Sequence, residues 1–105
     1  MIFTRAGLVN QGEIASAVRK VEKEFSPDVV RIRYSFEEDA NDYPAVFFRI
    51  VVRDEAAPLP RLLELSRRLS LALRNEARTD ENDLNAYFNY RSVSEQQELQ
   101  DPAWE

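Results

Sequence analysis

The pattern of apolar residues predicts an α+β fold, a two-layer sandwich in the order αββαβ with its helices on one face of a mainly antiparallel three-stranded sheet. Segments 11–25 and 59–77 repeat apolar side chains every three or four residues, whereas 29–36, 45–53 and 86–92 alternate apolar with polar. Prolines and polar runs separate the segments. Packing both helical stripes on the same side of a sheet buries all of these apolar faces together.

The first helix, QGEIASAVRKVEKEF, aligns Ile14, Ala17, Val18, Val21 and Phe25, and Ser26-Pro27-Asp28 stops it. VVRIRYSF follows as a half-buried strand, with Val30, Ile32, Tyr34 and Phe36 on one face and Arg31, Arg33 and Ser35 on the other. After the polar loop EEDANDYP, AVFFRIVVR sets Phe48, Ile50 and Val52 against Phe47, Arg49, Val51 and Arg53, which predicts a hairpin with the preceding strand. Pro58 and Pro60 suit the first turn of a second helix, whose stripe is Leu62, Leu65, Leu69, Ala72 and Leu73, with arginines on its other side. TDENDLN breaks that helix, and AYFNYRS places Ala86, Phe88 and Tyr90 opposite Tyr87, Asn89 and Arg91. Ser92 or Ser94 can cap a short last helix, because Glu95 and Gln97 stand three residues beyond them, and Asp101-Pro102 ends it.

This order is similar to the bacterial form of the KH domain, a KH-like half, and a short fourth strand at IFTR would complete a ferredoxin-like arrangement instead. The shorter version is expected here. Residues 1–105 read as one α+β domain, with 93–105 as a C-terminal helix and tail, because no linker composition or internal repeat divides them. A chain of this length buries roughly two-thirds of its unfolded surface. The lack of cysteine excludes a disulfide frame and thiol chemistry, and no apolar run approaches the roughly 20 residues of a membrane span. The start, MIFTRAGLVN, lacks the pattern of a signal peptide, so a cytoplasmic protein without membrane partners is expected.

The predicted sheet leaves one face away from the helices, bearing Arg31, Arg33, Phe47, Arg49, Val51, Arg53, Tyr87, Asn89 and Arg91. Of the 14 basic residues 12 are arginine, and several lie on this face, while acids gather in the loops and tail. Rings and arginines on a sheet can stack on bases and pair with phosphate, which makes single-stranded nucleic acid the alternative partner. A net charge of −5, the missing glycine-rich RNP pattern and the absence of a GXXG clamp argue against it. Arginine and aromatic residues are also the types enriched in protein interfaces. The remaining possibility is plain surface, with arginine stems lying over the sheet and pairing with loop or tail acids.

No catalytic signature is present. Without histidine or cysteine, neither a Ser-His-Asp nor a Cys-His constellation can exist, and no GxGxxG or GxxxxGK loop cradles phosphate. The acids Glu37, Glu38, Asp39 and Asp42, like Asp80, Glu81 and Asp83, lack the pattern of a calcium loop, so no metal and no cofactor is expected. The single tryptophan, Trp104, stands in the tail QQELQDPAWE; it either folds back onto the body or anchors a partner. Acids at Glu98, Asp101 and Glu105 can satisfy the arginine face if the tail crosses it, which would mask a binding surface.

PAVFFRIVVRDEA and YFNYRSVSEQQELQDPAW resemble segments of small uncharacterised bacterial proteins that share a phenylalanine-rich strand and a YFN-[FY]-RS ending. The resemblance covers residues 29–104 and implies an association with HEPN-type gene neighbours, a two-component or toxin-antitoxin-like setting. It implies no residue role. The expected function is a non-enzymatic protein-interaction module, binding a second copy, as a homodimer, or a separately encoded protein.

Overall fold

The computed structural model describes residues 2–105. Asn10 opens the first helix, α1 (Gln11–Glu24), its side chain accepting a hydrogen bond from the Glu13 N–H at 3.1 Å. Ile14, Ala17, Val18 and Val21 form the buried stripe. The strands β3 (Val29–Glu38) and β4 (Pro44–Val52) make an antiparallel hairpin that pairs Ile32 with Ile50 and Tyr34 with Phe48. Asp39 shapes the connecting loop by accepting from the Asn41 and Tyr43 N–H groups. The second long helix, α2 (Arg61–Ala77), buries Leu65, Leu69, Leu73 and Ala77 and ends at Arg78 in a left-handed conformation.

β5 (Asn85–Ser92) pairs with β4 in parallel, from Ala45 opposite Asn85 to Val52 opposite Ser92. The sheet order is β3-β4-β5, so the sheet is mixed and not mainly antiparallel. The cause is α2: a helix of 17 residues between β4 and β5 carries the chain back to the end where β4 began, which is the connection that parallel neighbours require. IFTR does not extend this sheet. β1 (Phe3–Thr4) pairs only with β2 (Gly7–Leu8), across a tight turn in which Gly7 takes φ +104°, open to glycine and poorly accessible to other residues.

The core joins Val18, Val21, Leu65, Leu69 and Leu73 from the helices to Ile32, Val46, Phe48, Ile50 and Val52 from the strands, with Tyr34 and Phe88 packed against it. Strict alternation fails at one place. Val29 is buried and Val30 is exposed, because the β3 register shifts between Val29 and Arg31 and the bulge turns Val30 outward. The last helix, α3 (Val93–Leu99), starts at a capping box in which Ser92 accepts from the Glu95 N–H and Glu95 accepts from the Ser92 N–H. Among the described residues no helix is long and apolar enough to cross a membrane.

Candidate interaction face and the tail that crosses it

After α3 the chain turns at Gln100, enters a short 3-10 turn at Pro102–Trp104, and lies across β3 and β4 on the side away from the core. Three arginines then bond to three successive tail carbonyls: Arg49 Nε to Ala103 O at 2.8 Å, Arg31 Nε to Trp104 O at 2.7 Å, and Arg33 Nε to Glu105 O at 2.8 Å. Arg31 and Arg33 stand at alternate positions of β3 and Arg49 lies opposite Arg33 on β4, so all three side chains leave the same face of the sheet and reach the tail along their lengths. A guanidinium presents several donors in a rigid fork, so each arginine can hold a second acceptor as well. Arg31 also bonds the Glu105 carboxylate at 3.1 Å, and Arg49 the Ser35 hydroxyl at 3.0 Å.

Trp104 folds back on the body and is only 6% exposed, with the Arg91 guanidinium 4.2 Å from its ring centre. Arg91 donates to the Gln96 side-chain oxygen at 3.0 Å and lies 3.5 Å from the Asp101 carboxylate. Gln96, itself buried, donates to Asp101 O at 2.7 Å and to the Glu105 carboxylate at 2.9 Å. A buried amide with its acceptor and donors all occupied holds α3, the turn and the tail in one arrangement.

The tail divides the predicted face. Val51, expected to be accessible, is fully buried, although its side chain lies outside the helix-side core. Arg53 turns away to Asp28 at 2.7 Å, which Arg61 also reaches at 3.1 Å. The Arg53 bond, followed by the charge of Arg61, holds the Asp28 carboxyl below its ordinary range. Phe47, Tyr87 and Asn89 remain beyond the tail. Phe47 and Tyr87 stack with ring centres 4.9 Å apart and planes 14° from parallel, and Tyr87 is 38% exposed.

Asp39 fixes this stack from the loop. One of its oxygens accepts from Asn85 at 3.0 Å and from the Tyr87 hydroxyl at 2.7 Å. These side-chain bonds, first that of Asn85 and then that of Tyr87, lower the Asp39 carboxyl to about 2, and the same contact raises the Tyr87 hydroxyl. The acidic loop is therefore a brace for the aromatic pair. Among the described residues no group of three or more histidine, cysteine or acidic side chains is gathered where it could hold a metal.

The structure thus brings Arg31, Arg33, Arg49, Arg91 and Trp104 together around the tail, places Phe47, Tyr87 and Asn89 beside them, and removes Val51 from access. Sequence patterns did not single out Gln96, and they raised Asp39 only among acids that could hold a cation, not as a brace for the rings. Asp39 had a local signal, since Asp-Ala-Asn precedes a strand as turn-forming residues do, whereas nothing near Gln96 in sequence announces its burial. Comparison of the chain with protein-family profiles, with curated proteins and with solved structures finds no match.

Proposed function

We propose that this chain is a non-enzymatic protein-interaction module whose sheet face opposite α1 and α2 is suited to polypeptide. The observation that carries this is the ladder of Arg49, Arg31 and Arg33 on three consecutive main-chain carbonyls, beside a slot that accepts a tryptophan. Main-chain recognition with a pocket for one large ring is the chemistry of peptide binding. The partner docks against the half-buried Phe47 ring and the exposed Tyr87 and Asn89, with the tail forming one wall. Arginines already bonded to carbonyls and to Glu105 offer fewer donors to phosphate, which favours protein over nucleic acid. We read the architecture as a two-layer αββαβ sandwich of the KH-like kind, and the setting as the small partner in a bacterial two-component or toxin-antitoxin-like pair.

The test is isolation of the native complex, identification of the co-purifying chain, and titration of that purified chain against wild type, Phe47→Ala and Tyr87→Ala. Each variant should weaken binding by about tenfold, as truncation of an interface aromatic does. Affinity for the purified chain that neither substitution alters would overturn the assignment. Binding of single-stranded RNA that falls steeply between about 50 and 200 mM salt and disappears in the Arg33→Glu, Arg49→Glu double variant would select the nucleic-acid alternative.

A further inference from the structure

The two edges of the sheet are treated differently. On the outer edge of β3 the Ile32 N–H donates to the Glu22 carboxylate at 2.7 Å, and the Ile32 carbonyl accepts from Arg33 Nη1 at 3.2 Å. The bulge at Val29 and Arg31, together with the charges of Arg31, Arg33, Glu37 and Glu38, further disrupts that edge. Such features protect an edge from pairing with another strand. The outer edge of β5 has none of them: it holds no proline, glycine, lysine or bulge, and its one charge, Arg91, is turned to Gln96 and Trp104.

The hydrogen-bonding phase of β5 follows from that of β3. Because Ile32 points its backbone groups outward, Arg33 and Ser35 face β4, Phe48 and Ile50 face β5, and the parallel ladder is completed by Tyr87, Asn89 and Arg91. The N–H and C=O groups of Ala86, Phe88 and Tyr90 therefore point away from the sheet, and none has a backbone partner there. The tail crosses β3 and β4, and α3 meets β5 at its end, where Gln96 accepts from Arg91, and reaches Asp54 through Ser94. Tyr90 on this strand also carries the one buried side-chain polar atom left without a partner among the described residues.

We propose that β5 pairs antiparallel with β5 of a second copy, across a two-fold axis at Phe88, to give one continuous sheet through both copies. The register is self-complementary. Centring on Phe88 sets Ala86 opposite Tyr90, so each outward N–H meets an outward C=O, as a closed two-fold interface requires. On the helix side Phe88 meets Phe88 and the small Ala86 makes room for Tyr90. On the tail side Asn89 meets Tyr87 and Asn85 meets Arg91, so no like charges are opposed within the strand pair. The like charges that do approach the axis are the two copies of Arg74, whose guanidinium lies 5.7 Å from the Phe88 ring centre. Arg74 is exposed, so salt screens this repulsion and the dimer tightens as ionic strength rises, the opposite of an association through the arginine face. The strand pair shares the Tyr87 and Asn89 side chains with the surface proposed above, but it is read from self-association and from the Ala86, Phe88 and Tyr90 amides, so the two proposals fail separately.

Sedimentation equilibrium over a wide concentration range, with amide hydrogen exchange followed by NMR, tests the pairing. Wild type should dimerise, with the Ala86, Phe88 and Tyr90 amides protected in the dimer and exposed on dilution, while Tyr87 and Asn89 stay protected in both. Ala86→Pro removes an outward N–H at a position where an edge strand tolerates proline, and should raise the dissociation constant by about tenfold or more. Asn85→Lys sets a cation opposite Arg91 of the second copy and leaves the backbone unchanged; because it also replaces the Asn85 donor to Asp39, monomer stability is measured alongside, and the folded variant should form a weaker dimer. A chain that stays monomeric at about 1 mM, a dimer in which those three amides exchange freely, or a dimer indifferent to folded Asn85→Lys would overturn the proposal.

Discussion

Replacement of Trp104 by alanine tests whether the tail is an integral part of the fold. An aromatic side chain buries roughly 150–250 Å², and at about 25 cal/mol per Å² a tryptophan that is 6% exposed represents about 5 kcal/mol of apolar transfer. Realistic unfolded chains already bury part of that area, which lowers the figure to about 3–4 kcal/mol, within the usual cost of Trp→Ala in a packed site. Loss of the ring also removes the contact with Arg91 at 4.2 Å, a term already contained in that measured range. Urea unfolding followed by circular dichroism should therefore show a loss of about 3 kcal/mol at unchanged m-value if the tail and body unfold together. Detachment of the tail alone would give a smaller loss of global stability and fast exchange at the Ala103 and Trp104 amides. Because the chain has a single tryptophan, its fluorescence reports this site directly: emission should be blue-shifted and poorly quenched by acrylamide in the native state. A native spectrum typical of solvated indole, or a Trp104→Ala variant within about 0.5 kcal/mol of wild type, would refute the argument.

Two further outcomes follow from the core and the loop. Leu69, fully buried between the helices and the sheet, should cost about 2–5 kcal/mol when truncated to alanine, with a lower urea midpoint and the far-ultraviolet spectrum preserved at low denaturant. For Asp39, the fold favours the ionised form and lowers the carboxyl from 3.8 to about 2, so its contribution is complete above the unfolded value and is lost as pH falls between those limits. Stability measured across that window should fall less steeply in Asp39→Asn than in wild type, and identical acid limbs would show that the bonds to Asn85 and Tyr87 do not persist in solution.

The helices and strands were legible because their signals are local. Three- and four-residue spacing placed Ile14, Val18 and Val21 on one stripe and Leu65, Leu69 and Leu73 on another, and alternation placed Ile32, Ile50 and Phe88 toward them, as the packed core has them. The Ser92 capping box was readable for the same reason, since its partners stand three residues apart. Strand direction was less accessible: the helix between β4 and β5 implies a parallel pair, but the sheet was expected to be mainly antiparallel, and only the closed crossover decides it. The bulge that exchanges Val29 for Val30 depends on how the hairpin closes at its far end, to which a periodicity count is blind.

The candidate face shows the same division. Its residue types were apparent in sequence because alternation sends Arg31, Arg33, Phe47, Arg49, Tyr87 and Asn89 to one side of a strand whatever lies above them. Whether that side meets water was undetermined, since the acids and the tryptophan that meet it lie about 70 residues away from Arg31 and Arg33 in the chain. Tertiary structure decided it by bringing three successive tail carbonyls onto three arginines, with buried Gln96 holding the turn and Val51 losing its exposure. Contacts of that separation require loop closure and simultaneous satisfaction of several polar groups, so they are properties of the assembled fold that no local pattern encodes.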